Sequence, residues 1–288
     1  MGSPLIGKIP MSLKYTKIKK NHTIFQRLFG VSVAQFETIF KKVEPRWQAK
    51  VIGGYKRKGR DYKLDLADML LMLLLYYRSY VTQIFVSYMF GIDDSRVCRI
   101  IQCLEPLLAA VMAIKKCRKL SKEEIESLLI DATEQAIERP KKGQKAYYSG
   151  KKKRHTLKTE MRVNHKGRIV QISKTRPGSE HDFSIFKKEP PLPSDSHAFV
   201  DSGYQGIDKI HPNVDFPYKA TKNKPLDAKE KEYNNMLSKI RVVVENIFGD
   251  IKVFKIMSDR YRNKRKRYNL KFKIIAGIVN LKNGFASA

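Results

Sequence analysis

The hydrophobic and polar positions divide the chain into a helical first part and a mixed second part. Apolar residues at helical spacing predict a strong helix over 64–80 and a second helix over 82–90. A turn at 91–93 that contains glycine then leads into a third helix, which is expected to run to about Met112. Two helices joined by a short turn with glycine form the helix-turn-helix pattern.

The third helix of this pattern has one apolar and one polar face. Four apolar positions are expected to face inward, namely Val97, Ile100, Ile101 and Leu104. Near its N-terminal end Arg96, Arg99 and Gln102 would face outward, where a recognition helix meets the edges of bases. Because helical domains that do not touch DNA contain such turns too, the pattern alone leaves both interpretations open.

A capping box and a basic segment precede the helix-turn-helix. Ser32, with Gln35 three positions later, opens a predicted helix over 33–43, and Pro45 is expected to end it. The following segment 50–60 is basic and rich in glycine. It is either a solvated loop or a backbone contact for phosphates.

Beyond a charged segment at 115–126 the pattern changes to short strands. Apolar or alternating runs predict strands at 127–131, 154–163, 168–173, 197–201 and, as an edge strand, 216–219. With the helices between and after them, these strands predict an α/β domain with a mixed central sheet. We therefore expect a helical region over 1–120, with the helix-turn-helix at about 64–112, and a second domain over 121–288.

A long helix is predicted over 228–254. Its apolar positions recur at helical spacing, at Met236, Ile240, Val243, Val244, Ile247, Ile251 and Phe254. Arg241, Glu245 and Lys252 share another face, because an α-helix turns once in about 3.6 residues. These three residues form either a surface salt-bridge ladder or a metal-binding carboxylate flanked by cations that hold phosphates.

The charge balance narrows the function. The chain of 288 residues has 58 Lys and Arg against 28 Asp and Glu, a formal net charge of +30. Such an excess indicates a polyanionic partner, and nucleic acid is the first candidate because the basic residues are spread along the whole chain. Three cysteines without a CxxC pair indicate a reduced intracellular protein with neither a disulfide framework nor a zinc site. No apolar run is long enough to span a bilayer.

Three acidic residues form a candidate metal site. Asp131 and Asp201 each follow an apolar strand, and Glu245 lies on the long helix. Clustered carboxylates repel each other unless hard divalent cations neutralise them, and oxygen ligands select Mg²⁺ or Mn²⁺. Two such ions about 3.5–4 Å apart can activate a water or a sugar hydroxyl and stabilise the leaving oxygen of a phosphodiester. Two Mg²⁺ or Mn²⁺ ions are therefore the expected cofactors.

Five segments occur in the order found in a known family. They are Asp131-Ala-Thr-Glu134, the stretches 148–158 and 177–182, Val200-Asp-Ser-Gly-Tyr-Gln-Gly206, and 241–252. Together they resemble the DDE transposases of bacterial insertion sequences and their Harbinger-like eukaryotic relatives, over about residues 60–260. The resemblance implies an RNase H-like catalytic domain with Asp131, Asp201 and Glu245 as the metal-binding triad.

The final segment also resembles the Tyr-x2-Arg-x3-Glu-x6-Lys motif of related transposases. Arg241 and Lys252 match that spacing, but Ser238 stands where the motif has tyrosine. The tyrosine's expected phosphate contact is therefore in doubt for this chain. A second departure is Ala132, where glycine often follows the first aspartate, and alanine is tolerated there unless the position needs a positive φ.

Further basic and polar residues are candidates for the same site. The basic edge formed by Lys151, Lys152, Lys153, Arg154 and His155 is either a solvated hairpin edge or a DNA grip beside Asp131. His181 and Asp182 either cap a short helix or sit next to the metal ligands.

These observations predict a DNA transposase that binds terminal inverted repeats and performs metal-dependent hydrolysis and strand transfer. Double-stranded DNA is the expected partner, and the resemblance implies at least a homodimer on DNA, with no role for a membrane. The expected location is the bacterial cytoplasm and nucleoid, or the nucleus in a eukaryote. Two alternatives remain: a domesticated or inactive DNA-binding regulator, and an RNase H-like nuclease that never joins strands.

Overall fold

The computed structural model describes residues 13–54, 62–114, 125–221 and 225–285. These residues fall into two compact units. The first contains the described residues through Val111 together with Phe254–Ile256, and the second contains the others. The predicted boundary at 115–126 lies almost entirely outside the described residues.

The described part of the first unit is helical. Its helices are Tyr15–Ile18 (α1), His22–Phe29 (α2), Val33–Trp47 (α3), Leu66–Ser79 (α4), Gln83–Phe90 (α5) and Asp94–Met112 (α6). Ser32 and Gln35 form the predicted capping box at the start of α3. Thr82 caps α5, and Gly91 ends it in the left-handed conformation with φ of 63°. The predicted helix-turn-helix elements are thus confirmed as α5, turn and α6.

Proline does not end α3, contrary to prediction. The helix runs through Pro45 to Trp47 and continues as a π-helical turn over Gln48–Ile52. The side chains of Trp47 and Val51 are buried, and their burial holds this segment in helical form despite the hydrogen bond that proline cannot make. Residues 50–52 are therefore helical, and 55–61 lie outside the described residues.

The second unit is built on a mixed sheet with flanking helices. Its strands are Ser127–Ala136 (β1), Tyr148–Ser149 (β2), Arg154–Asn164 (β3), Ile169–Ile172 (β4), Arg176–Pro177 (β5), His197–Val200 (β6) and Val214–Asp215 (β7). The helices are Gln144–Tyr147 (α7), Asp182–Phe186 (α8), Ala228–Lys252 (α9) and Tyr268–Lys282 (α10). Within the described residues the sheet order is β2-β3-β1-β6-β7, with β4 and β5 also paired to β3.

Two strand predictions need correction. β1 does not end at Asp131 but continues to Ala136, because antiparallel β3 pairs along its whole length. The edge strand is not at 216–219 but at Val214–Asp215, where it pairs in parallel with Ala198 and Phe199. Pro217 lies in the expected segment and has no N–H to donate to a ladder.

Apolar side chains cover the faces of the sheet but not the ends of its strands. A buried cluster on β1 and β6 includes Leu128, Ile130, Ala198 and Val200. On α9, Val244, Ile247 and Ile251 are buried as predicted, whereas Met236 is 52% exposed and Leu237 takes the core position. α10 closes the core, and the buried amide of Asn280 exchanges two hydrogen bonds with the backbone of Ile169 at 2.9 Å each. None of the described helices combines the length and apolarity that a bilayer crossing needs.

Candidate active site

The two aspartates predicted as metal ligands lie next to each other. β1 and β6 run parallel, with Ile130 opposite Val200, so Asp131 and Asp201 are the next residues along neighbouring strands. β6 ends at that point, whereas β1 continues along β3. The register of two parallel strands therefore brings the carboxylates together, although 70 positions separate them in the chain (201 − 131 = 70).

One guanidinium group joins these two carboxylates. Arg241 Nη2 lies 3.6 Å from Asp131 Oδ2, and Arg241 Nη1 lies 3.3 Å from Asp201 Oδ1. Each aspartate also accepts a 2.7 Å hydrogen bond from the backbone N–H of the following residue. Arg241, predicted as a DNA contact, is thus the counter-ion of both aspartates.

Asp182 is a third carboxylate at this place. It begins α8, with His181 in the N-cap position. Its side chain lies against Gly203, where a Cβ atom would stand only 2.7 Å from Asp182 Oδ2. A side chain at position 203 would therefore push the Asp182 carboxylate from its place next to the turn that follows Asp201.

Lys158 is a cation next to the aspartates whose position the sequence did not predict. This lysine is nearly buried in β3, and its Nζ lies 3.0 Å from Asp182 Oδ1 and 3.5 Å from Glu134 Oε1. It also donates a 2.8 Å hydrogen bond to the backbone oxygen of Glu180. Lys158 occurs in one of the family-like segments, but only the β1–β3 register, which pairs it with Glu134, reveals its role.

The surroundings of Asp131 disfavour its charged form. Burial raises the pKa of Asp131 from 3.8 to about 6, against the lowering effects of the Ala132 N–H and of Arg241. The negative charges of Asp201 and Asp182 add to the rise in this pKa. A hard divalent cation would remove this penalty, so the donor set of carboxylate oxygens fits Mg²⁺ or Mn²⁺.

Glu245, the third predicted ligand, is not gathered with the aspartates. It is exposed on α9, one turn after Arg241, and has no hydrogen bond or ion pair with any described residue. Among the described residues no three His, Cys, Asp or Glu side chains are close enough together to hold a metal ion. The complete triad therefore remains a prediction, whereas the aspartate pair is present.

A buried polar network supports the loop that carries Asp201. Tyr204, in the 3₁₀ turn Ser202–Tyr204, is fully buried and donates a 3.4 Å hydrogen bond to Glu160 Oε2. Glu160 Oε1 pairs in turn with Arg162 at 3.2 Å. Burial raises the pKa of Glu160 from 4.5 to about 7, against the lowering effect of the nearby Arg162. The residue pattern of β3 did not predict this network, because both faces of the strand are covered and buried positions therefore do not alternate with exposed ones.

Comparison with known proteins identifies the family. Residues 130–280, more than half of the chain, match the family described as DDE superfamily endonuclease. The chain belongs to the DDE superfamily endonucleases. Residues 62–114 match a second description, the helix-turn-helix of DDE superfamily endonuclease, so both predicted parts are recognised. The mixed sheet with flanking helices is consistent with the predicted RNase H-like catalytic fold.

Two relatives of this endonuclease chain carry names that refer to transposition. The chain is 36% identical, over 262 residues, to a protein named as a probable transposase for insertion sequence element IS702 of Microchaete diplosiphon. That alignment covers 89% of this chain and 93% of the relative. A second relative, named as a candidate transposase for insertion sequence element IS112 of Streptomyces albus G, is 23% identical over 70% of this chain and 75% of its own.

The cavity of the DDE endonuclease unit combines acidic and basic walls. It encloses about 520 Å³ and is lined by the three aspartates and by Lys151, Lys152 and Lys252. Lys153 and Arg154 are exposed but do not line this cavity. His155 lines a different hollow and meets the Tyr148 ring edge-on at 5.6 Å. Of the five residues of the predicted grip, Lys151 and Lys152 are the two beside the carboxylates.

The helix-turn-helix of this DDE endonuclease presents the expected polar face. Val97, Ile100, Ile101 and Leu104 are buried, while Arg99 and Gln102 are exposed on α6. Arg96 is half-buried and pairs with Asp93 at 3.3 Å, which ties it to the turn. Gln102 donates a 3.1 Å hydrogen bond to Cys98 Sγ, so Arg99 is the freest of the three candidates for contacts to bases.

Proposed function

We propose that this DDE endonuclease is the transposase of an insertion sequence. It would bind the terminal inverted repeats of its element, cut the DNA at the element end, and join the freed 3′-hydroxyl to target DNA. In a bacterial host the substrate is the DNA of the nucleoid. The observation that carries the proposal is the convergence of Asp131 and Asp201 on the single guanidinium of Arg241.

The proposed metal ligands are Asp131, Asp201 and Glu245, with two Mg²⁺ or Mn²⁺ ions. When bound, these ions supply an activated water or sugar hydroxyl and stabilise the leaving oxygen. Asp131 and Asp201 supply partly buried oxygens that are held by backbone N–H groups, so they need little reorganisation. Glu245 can reach the aspartates only through a movement of its exposed side chain, and its position on the α9 face of Arg241 and Lys252 supports this role.

The basic side chains around the carboxylates would orient the DNA. Lys152 and Lys252 line the cavity and are placed to bind phosphate oxygens beside the scissile bond. Arg241 has a double role: it balances the charge of the aspartates in the free protein and turns to a DNA phosphate when DNA is bound. His181 and Asp182 line the same cavity, and Asp182 keeps Lys158 next to the aspartates through their 3.0 Å ion pair.

The helical unit would select the element end. α6 carries Arg99 and Gln102 on its exposed side, and side chains of this kind read guanine and adenine in the major groove. We also propose that two copies act together on DNA, because a transposase must hold both ends of its element.

Plasmid nicking tests the cleavage step. We expect Asp131→Asn, Asp201→Asn and Glu245→Gln each to abolish nicking of supercoiled plasmid in MgCl₂ while leaving DNA binding in EDTA unchanged. Asp208→Asn is the matched control, because Asp208 is exposed and does not line the cavity. Full Mg²⁺-dependent nicking by one of the three variants would remove that residue from the proposed triad.

Strand transfer separates transposition from simple nuclease action. Pre-cut duplex ends with a free 3′-hydroxyl should be joined to a target plasmid by the wild-type protein in Mg²⁺. Nicking without joining would identify a nuclease that does not transpose. Sequence-specific binding with neither activity would identify a DNA-binding regulator.

A further inference from the structure

A second, strongly basic cavity lies on the α/β unit. It encloses about 740 Å³, and we call it the cationic groove for its five basic lining residues, Lys174, Arg176, Lys264, Arg265 and Lys266. Its other walls are formed by Tyr147, Leu157, Thr175, Pro177 and Asn269, so no acidic side chain lines it. It thus differs from the cavity that Asp131, Asp182 and Asp201 line, which we call the carboxylate cavity and which has both acidic and basic walls.

The charges of the cationic groove are not balanced from within the described part of the chain. None of its five basic side chains has an ion pair with a described carboxylate. In contrast, Lys158 in the carboxylate cavity and Arg241 beside the aspartates each pair with two acidic residues. In addition, Arg176 Nε is shielded from solvent and has no hydrogen-bond partner. Cations crowded without counter-ions repel each other and favour an anionic ligand that brings several charges at once.

Neighbouring side chains hold the groove in shape before any ligand binds. Asn269 on α10 donates hydrogen bonds to the Ser173 backbone oxygen at 2.9 Å and to Thr175 Oγ1 at 3.0 Å, which fixes the segment that carries Lys174 and Arg176. The Arg265 guanidinium lies 4.4 Å from the centre of the Tyr147 ring. This cation–π contact restrains a side chain that would otherwise lose much freedom on binding.

The groove borders the carboxylate cavity. Leu157 and Pro177 are paired between β3 and β5 and line the groove, and the next residues along the chain, Lys158 and Gly178, line the cavity. Successive residues of a strand point to opposite faces, so Leu157 and Lys158 turn to different sides of this strand pair and the two hollows share its backbone as a wall. Because β5 is only two residues long, a polyanion bound at the carboxylates would reach the groove around the end of this pair.

We propose that the cationic groove binds the phosphodiester backbone of the DNA that flanks the cut position. This inference rests on the proposed DNA substrate, but it concerns holding the DNA and not cutting it. A duplex carries one negative charge per strand every ~3.4 Å along its axis, a spacing that lets several cations of one groove contact successive phosphates. The regular row of charges suits DNA better than a single small anion.

Lysine footprinting on the wild-type chain tests the proposal without any mutation. The protein is acetylated in EDTA with and without a DNA duplex, and the modified lysines are located by mass spectrometry. We expect the duplex to protect Lys174, Lys264 and Lys266 at least threefold more than the exposed lysines of α9, Lys229, Lys231 and Lys239. Equal protection of both sets would overturn the proposal, as would equal protection of the groove by phosphatidylserine vesicles.

Two triple variants with the same net charge test the energetic role. The first variant combines Lys264→Ala, Arg265→Ala and Lys266→Ala. It should make the negative slope of log K against log salt for duplex binding less steep by up to about 3, since each phosphate contact contributes ~0.9. The control changes Lys229, Lys231 and Lys239 to alanine and should leave the slope nearly unchanged. Equal slopes for both variants would refute a localised site.

The outcomes separate this inference from the proposed function. Binding is measured in EDTA, so loss of nicking in the metal assay would overturn the cleavage step and leave the groove result standing. Normal Mg²⁺-dependent nicking without protection of the groove lysines would overturn the groove proposal and leave the cleavage step standing. Circular dichroism spectra and melting curves of both triple variants check that each has kept its fold.

Discussion

Asp131→Asn is expected to stabilise the folded protein at pH 7 while it removes a proposed metal ligand. The wild-type carboxylate is only 19% exposed and lies near Asp201 and Asp182, so its ionisation is unfavourable in the folded state. Asparagine has nearly the same shape, keeps an oxygen for the Ala132 N–H, and carries no charge. The folded variant therefore avoids the cost of a buried negative charge.

The size of the effect follows from the pKa. A rise from 3.8 to about 6 is roughly two units, and at 1.36 kcal/mol per unit this gives up to about 3 kcal/mol. The sign is that of a raised acid pKa: the folded state binds a proton more tightly than the unfolded state. Wild-type stability should therefore lose the Asp131 contribution between about pH 4 and pH 6, and the variant should lack this part of the fall while keeping the part from Glu160.

Urea unfolding in EDTA at pH 4 and pH 7 measures this difference. The free energies of unfolding of wild type and variant should be close at pH 4 and should differ by up to about 3 kcal/mol at pH 7, with the variant more stable. Asp208→Asn, at an exposed position, should show no such pH-dependent gap. A variant less stable than wild type at pH 7, or a gap that does not change with pH, would refute this account of Asp131.

Further variants test packing, recognition and charge balance. Gly277→Ala should lower the free energy of unfolding by several kcal/mol, because its Cβ would stand 1.6 Å from the Met112 carbonyl oxygen. The new Cβ of Gly249→Ala on α9 meets no atom within 4 Å, so this variant should be more stable than wild type by ~1 kcal/mol. Thermal melts compare the two variants. Arg99→Ala should weaken binding to the element end by ~1–3 kcal/mol and binding to random DNA much less, in competition assays. Arg241→Ala should flatten the salt dependence of DNA binding by ~1 per lost phosphate contact, and an unchanged slope in titrations would leave Arg241 as a counter-ion only.

The local elements could be predicted from sequence because their signals are local. Capping by Ser32 and Gln35, the turn at Gly91 and the apolar face of α6 depend on residues within one or two helical turns of each other. The strand that carries Asp201 was predicted for the same reason, and the net charge pointed to a polyanionic partner without any knowledge of the fold. The order of the family-like segments added the family, which the comparisons confirm.

What only the tertiary structure decided depends on pairing between distant segments. The register of β1 with β6 sets Asp131 beside Asp201, and the register of β1 with β3 extends β1 past Asp131 and brings Lys158 to Glu134. Arg241 meets both aspartates, although the sequence predicted it as a phosphate contact beside Glu245. A side chain's ion-pair partners and pKa depend on which strands lie next to each other, and strand register is a property of the whole fold that no single segment encodes.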